Sequence, residues 1–282
     1  MNFKTGSLRY IDYLLWLLKT RHVPGTGWVL QYRGIDVFLE NLCDLITTRE
    51  FLVGGYYEPL RDAAAPGSVL WDIGMNIGAV SVLFAQSPNF VHVYGYEPVE
   101  HTYDCALKSI ALNPGLAGKI TAANFGVGDR DYDIQIPYTA KLKSSIGVGY
   151  EISRYEKIIF RVKDSEMIPV TLRLKDAAEI YRGIRASYPS SDIVLKLDAE
   201  GAEHEIIDRL FKAGLLKDIQ ACSIEWHGEQ GPDELLRQLH ASGFETTTQL
   251  LRTWIGLIEA RRTTNPKSTA SPYCSETEAA QK

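Results

Sequence analysis

The run Val69-Leu70-Trp71-Asp72-Ile73-Gly74-Met75-Asn76-Ile77-Gly78 constrains the fold more than any other part of this chain. An apolar strand stops at a glycine turn and passes at once into the apolar stretch Ala79–Ala85. Gly74 permits backbone geometry that a side chain would forbid, and Gly78 lets a helix pack closely. A turn of this kind sits at the carboxyl end of a parallel strand, where open α/β sheets bind their ligands.

The downstream pattern agrees. From Gly67 onward, strands are predicted at Ser68–Ile73, His92–Tyr96, Ile120–Val127, Ile193–Asp198 and Ile219–Trp226. Helices are predicted at Ala79–Gln86, Glu100–Leu112, His204–Lys212 and Pro232–Ala241, the last with Pro at its start and Gly243 beyond its end. Two closing strands fall near Glu245–Leu251 and Thr253–Glu259. Alternation of this kind implies an α/β fold with a parallel sheet and crossover helices over residues 67–260. Residues 1–66 form an N-terminal appendage. It has a helix at Leu8–Lys19, a hairpin of Trp28–Tyr32 and Ile35–Leu39, a helix at Asn41–Phe51 and a loop at Gly54–Pro59. Residues 129–190 read as a variable insertion on the acceptor side, with a flexible loop at Ser144–Gly149 and a strand at Lys157–Val162. Residues 261–282 are polar and expected to be disordered.

Composition narrows the class. With 282 residues, 45% hydrophobic and 23% charged, the chain suits one large domain with an addition. A net charge of −5 argues against a general affinity for nucleic acid. Cys43, Cys105, Cys222 and Cys274 form no CxxC pair, so free thiols and a cytoplasmic location are expected. The stripe Tyr10, Tyr13, Leu14, Leu17, Leu18 is too short to span a membrane. It suits packing on the domain or on a second copy in a homodimer, or a membrane-surface contact.

The ligand at the turn can be narrowed. A dinucleotide fingerprint needs G-x-G-x-x-G, and Asn76 stands where its middle glycine would be. That disfavours an NAD-linked oxidoreductase. The second strand ends Gly95-Tyr96-Glu97-Pro98, and a carboxylate there offers two acceptor oxygens to a ribose diol. Asn124, at the end of the third strand, is a candidate ligand contact, or else a turn residue.

Three segments together resemble the FkbM-type methyltransferases: Trp71–Gly78, Gly95–Pro98 and Leu195-Lys196-Leu197-Asp198-Ala199-Glu200-Gly201-Ala202-Glu203. The last matches every fixed position of K-x-D-x-E-G-x-E, and Ala221–His227 looks like the family's fifth strand. Met75 departs from the family's usual Ala. The resemblance implies a Rossmann-like class I methyltransferase fold, with a mostly parallel seven-stranded sheet and helices on both faces. It also implies S-adenosyl-L-methionine as donor, S-adenosyl-L-homocysteine as product, and O-methylation of a sugar, glycan or secondary metabolite. Asp72, Gly74, Asn76, Gly78, Glu97, Asn124 and Asp198 are then the candidate cofactor contacts.

A hydroxyl acceptor needs a base, because a neutral alcohol is a weak nucleophile. Asp198, Glu200 and His227 are the candidates, with His227 the preferred base because its proton equilibrium lies near neutrality. Asp198 and Glu203 could equally serve the helix that follows, as cap and as first-turn charge. Glu225 is expected to pair with Lys196. Asp198, Glu225 and His227, with Glu200 nearby, also make a candidate metal set, magnesium being an option the sequence does not require. A degenerate relative that binds a partner is the alternative to an enzyme.

Overall fold

The computed structural model describes residues 19–145, 157 and 161–262. The predicted N-terminal helix before Lys19, the loop beyond Ser145 and the tail beyond Arg262 lie outside the described residues. In chain order the strands and helices are β1 (Thr20–Val23), β2 (Gly27–Tyr32), β3 (Ile35–Leu39), α1 (Leu42–Gly54), α2 (Glu58–Ala63), β4 (Ser68–Ile73), α3 (Ala79–Gln86), β5 (Phe90–Tyr96) and α4 (Glu100–Ala111). After a single turn at Pro114–Ala117 come β6 (Ile120–Ala123), β7 (Gly126–Gly128), β8 (Tyr132–Tyr138), β9 (Ile168–Asp176), α5 (Ala177–Ser187) and β10 (Ile193–Leu197). The chain closes with α6 (Glu203–Lys212), β11 (Ile219–His227), α7 (Asp233–Ala241), β12 (Phe244–Arg252) and β13 (Ile255–Arg262).

The main sheet has seven strands in the order β12-β13-β11-β10-β4-β5-β6. Strands β6, β5, β4, β10 and β11 run parallel, and β13 is antiparallel to both its neighbours. The chain starts this sheet in the middle, at β4, and builds outward on both sides. The crevice between the ends of β4 and β10 is therefore the topological switch point.

Alternation along the strands sorts the core into two layers. Val69, Trp71, Ile73, Ile193, Leu195 and Leu197 face α5, α6 and α7 in one buried cluster, whereas Leu70 and Val194 join α3 in another. That second face also carries Asp72 and Lys196, which are direct neighbours in the parallel register. Apolar periodicity thus delivers two charged side chains to the switch point.

Four differences from the sequence reading have local causes. Pro59 stands in the first turn of α2, where its missing N–H has no partner to lose, so Glu58 and Pro59 start a helix rather than end a loop. The strand predicted at 120–127 is two: after Asn124 and Phe125 the chain leaves the main sheet, and Gly126 pairs with Leu174. The strand predicted at 157–162 is not formed at its described positions, since Lys157 is helical and Arg161 has φ +52°. Finally, β13 continues through Arg261 and Arg262.

Residues 126–176 supply a second sheet of order β7-β9-β8, in which Pro137 faces Pro169. An antiparallel sheet β1-β2-β3 lies in the N-terminal part. Cys43, Cys105 and Cys222 are buried free thiols. No described helix is long and apolar enough to cross a membrane.

Glu259 of β13 offers a test of the sheet's electrostatics. Ser223 Oγ donates to its Oε1 at 2.6 Å, while Oε2 is buried without a hydrogen-bond partner among the described residues. Burial raises this carboxyl to about 7 from an ordinary 4.5. The folded chain then binds the proton more tightly than the unfolded chain does. Stability from this group is present below pH 4.5 and is lost as pH rises through 7. Glu259→Gln should change little at pH 5 and raise the melting temperature at pH 8 by about 5 °C. Calorimetry at both pH values checks this, and a variant less stable than wild type at pH 8 contradicts it.

Candidate functional site

The turn after β4 is held by its neighbours. Gly74 has φ +76°, and a Cβ built there would lie 1.8 Å from the carbonyl oxygen of Asp198. Only glycine lets β4 and β10 end this close together. The N–H groups of Gly74 and Met75 both donate to the Tyr96 carbonyl at 3.0 Å. Met75 is buried with its sulfur against Gly95, where a Cβ would lie 2.5 Å away. A large residue in the turn is thus matched by a missing side chain on β5.

Glu97 closes the other wall. Its Oε2 accepts from Asn76 N–H at 3.1 Å and its Oε1 from Val99 N–H at 3.0 Å. Each oxygen keeps a lone pair for the cleft. Burial pushes this carboxyl up to about 7, against the pull of the two backbone donors. Gly74, Asn76 and Glu97 line the cleft with Asp198 and Glu200, and Val99, Val127 and Leu172 form its apolar side.

Beneath the turn, Lys196 Nζ lies 3.3 Å from Asp72 Oδ1 and 3.6 Å from Asp198 Oδ2. It donates to the carbonyls of Ile73 (3.3 Å) and Gly74 (2.5 Å). Burial works against this ammonium, and the Asp72 and Asp198 carboxylates outweigh it, so its pKa is raised. Ser81 Oγ donates to the second Asp72 oxygen at 2.6 Å.

Past Asp198 the cleft ends in a charged cage. Glu200 takes a left-handed backbone, φ +49°, in the turn before α6. Glu203 is wholly buried and accepts from the N–H groups of Ala199 and Gly201. Its Oε1 also lies 3.1 Å from His227 Nδ1. The other ring nitrogen, Nε2, lies 3.5 Å from Glu200 Oε2 and 3.8 Å from Glu225 Oε1. Tyr57 reaches in from the turn before α2, its hydroxyl 3.4 Å from both Asp198 Oδ2 and Glu225 Oε2. Burial raises the Tyr57 phenol well above its ordinary value, so it is a neutral donor. Burial lowers His227, but Glu200 and Glu203 more than offset this and push it up to about 11. Burial likewise raises Glu200, and raises Glu225 to about 8.

A family model described as the methyltransferase FkbM domain matches residues 72–246, which include the turn, Glu97 and every cage residue but Tyr57. The chain belongs to this family. Its FkbM domain has the Rossmann-like class I methyltransferase fold. Among solved structures, it is similar to the magnesium protoporphyrin IX methyltransferase of Synechocystis with bound SAM, at 14% identity and a TM-score of 0.43 over 80% of this chain and 86% of that one. It is also similar to TYW2 of M. jannaschii in complex with AdoMet, at 11% identity and a TM-score of 0.44 over 83% and 85%. No match to a curated protein is found.

Within the FkbM domain, Gly74, Asn76, Glu97, Asp198 and Glu200 share one cleft. Asp72 and Gly78 do not line it. Asp72 is fully buried in the Lys196 ion pair, and Gly78 starts α3 with its Cα against Ala106. Both support the turn from behind. Asn124 donates to the carbonyls of Glu97 and Pro98 and borders the adjoining cavity. Lys196 pairs with Asp72 and Asp198 rather than with Glu225. His227, expected as a base, is buried among carboxylates that raise its affinity for a proton.

Three side chains at the site have contacts that the sequence pattern does not show. Tyr57 falls in the stretch Gly54–Pro59, which the sequence pattern presents only as a loop. Glu203 was read as a first-turn charge, but the same K-x-D-x-E-G-x-E motif carried its signal. Lys143 gave no sequence signal. It is buried in the cleft wall, 2.6 Å from Glu40 and 3.0 Å from Asp44, and so ties the insertion to the start of α1.

Proposed function

We propose that the protein is an S-adenosyl-L-methionine-dependent O-methyltransferase acting on a hydroxyl of a sugar, glycan or secondary metabolite. The observation that carries this reading is the joining of two sites in one cleft. A glycine turn and a ribose-type carboxylate lie at one end, and Asp198 and Glu200 lead into the charged cage at the other.

The residues present fit the cofactor. Gly74 lines the cleft where β4 and β10 end close together, Glu97 has free lone pairs for a diol, and Val99, Val127 and Leu172 suit the face of a purine. When bound, the cofactor supplies an electrophilic methyl group, so the chain's task is to position the acceptor and take its proton. Asp198 is placed to orient the hydroxyl by accepting its hydrogen bond. Glu200 then takes the proton: burial increases its proton affinity, and the adjacent imidazolium of His227 keeps its ionised form accessible. Glu203 fixes the ring of His227. The turn at Gly74 and the apolar wall keep water away from the path of transfer.

Calorimetric titration with S-adenosyl-L-homocysteine tests the cofactor half, and no heat at millimolar ligand would exclude it. Transfer of a labelled methyl group to a panel of hydroxylated glycosides, beside amine analogues, tests the acceptor half. Labelling of the amines alone would refute O-methylation. Glu97→Gln should weaken S-adenosyl-L-homocysteine binding at least about 30-fold, since it loses a diol acceptor and sets an amide NH₂ against a backbone N–H. Unchanged affinity would remove Glu97 from the ribose site.

A further inference from the structure

We propose that Asp198, Glu200, Glu225 and His227 form a binding site for one divalent cation. Its meaning for catalysis rests on the reading above, because it adjoins the proposed acceptor end, whereas cation binding itself does not. The oxygen atoms of Asp198 and Glu200 and a ring nitrogen of His227 lie within 4.8 Å of one another. A Glu225 oxygen lies 3.8 Å from the same nitrogen, Nε2. An ion that holds ligands at about 2.1 Å spaces neighbouring donor atoms about 3 Å apart and opposite ones about 4.2 Å apart. The donors therefore have to draw together to share one ion, and they come from the end of β10, the following turn and the end of β11.

The independent observation is the direction of His227. The imidazole is buried, and Glu203 accepts from its Nδ1 side at 3.1 Å, the outer-sphere carboxylate contact that fixes the tautomer of metal-bound histidines. Nε2 is thereby aimed into the cage, where its contacts of 3.5 and 3.8 Å are longer than hydrogen bonds. Without a metal this nitrogen carries a proton that the Glu200 and Glu225 carboxylates face, and a divalent cation would take that proton's place. The number of carboxyl donors points the same way. Asp198, Glu200, Glu203 and Glu225 face one histidine and one lysine, and Lys196 is shared with Asp72. The other group of metal-type ligands among the described residues, Glu40, His101 and Cys105, differs in this respect. There Lys143 supplies the positive charge, 2.6 Å from Glu40. One nitrogen with three carboxylates suits an ion of intermediate hardness such as Mn²⁺.

The test is titration of the chelator-stripped, full-length protein with Mn²⁺, following free Mn²⁺ by electron paramagnetic resonance. S-adenosyl-L-homocysteine is titrated in a parallel sample. The expected result is one Mn²⁺ per chain, with electron spin echo modulation from a single directly bound imidazole nitrogen. His227→Ala and Asp198→Asn should each weaken binding at least about tenfold, while Glu234→Gln, on the exposed face of α7, should leave it unchanged. The spin echo needs no variant, so misfolding of either substitution does not obscure the outcome. Absence of Mn²⁺ binding at 1 mM, or binding without nitrogen coupling, overturns the cation site. If S-adenosyl-L-homocysteine still binds, the cofactor reading stands alone. Mn²⁺ binding without S-adenosyl-L-homocysteine binding supports the cation site and overturns the cofactor reading.

Discussion

Gly74→Ala is expected to abolish measurable S-adenosyl-L-homocysteine binding and to lower the melting temperature by about 10 °C. Two costs add. A left-handed backbone, φ +76°, costs an alanine about 1–2 kcal/mol. The larger cost is steric, because the new Cβ would lie 1.8 Å from the Asp198 carbonyl oxygen. That atom is backbone at the end of a buried strand and cannot swing away as a side chain could. Either β4 and β10 separate at their ends or the turn lifts into the cleft. Separation breaks the register that sets Lys196 beside Asp72, and lifting fills the space proposed for the cofactor. Gly67→Ala is a useful control, since φ there is +90° and nothing lies within 4 Å of the built Cβ. It should cost only the backbone part and leave ligand affinity intact. Thermal unfolding with calorimetric titration of both variants decides it. A Gly74→Ala protein that binds like wild type would show that the turn is not a ligand cradle.

The sequence made the frame of this site legible because each signal was local. Strand β4 and helix α3 follow from one uninterrupted apolar pattern broken by glycines, and their limits agree with the expectation residue for residue. Glu97 was legible because a lone acid ends an otherwise apolar strand. The second sheet is not legible, although β8 and β9 each alternate, because Pro137 and Pro169 interrupt the runs and the partners are 30 or more residues apart. Long-range pairing is what a local pattern cannot supply. The same limit explains the site. Asp198, Glu200, Glu225 and His227 were found as chemistry-bearing residues at strand ends. The roles of Glu203 and Tyr57 depend on which atoms meet across 24 and 141 residues of chain. His227 shows the consequence. Its residue type suggests a base near neutrality, and its surroundings raise its proton affinity above that.

Lys196→Met should unfold the site more severely than any change at the cleft surface. Methionine keeps most of the volume, so the loss is electrostatic rather than a cavity. Asp72 is wholly buried and would retain only Ser81 as a side-chain partner. Asp198 would lose its nearest cation, and the carbonyls of Ile73 and Gly74 would lose a shared donor. Removing one partner of a buried ion pair costs about 3–5 kcal/mol, because the other charge stays buried. For a chain of this size that is about 10 °C in melting temperature. The double substitution Asp72→Asn with Lys196→Met should recover at least about half of the loss, since it removes the stranded charge together with its cation. Denaturant unfolding of wild type, the two single variants and the double variant closes the cycle. A double variant no more stable than Lys196→Met alone would mean that Lys196 acts through the turn carbonyls and Asp198 rather than through Asp72. The distinction reaches the chemistry, because the same ammonium holds Asp198 at the mouth of the cleft. If Asp72 is the main partner, the double variant refolds the turn but leaves Asp198 without a cation. It should then bind S-adenosyl-L-homocysteine while transferring methyl groups poorly.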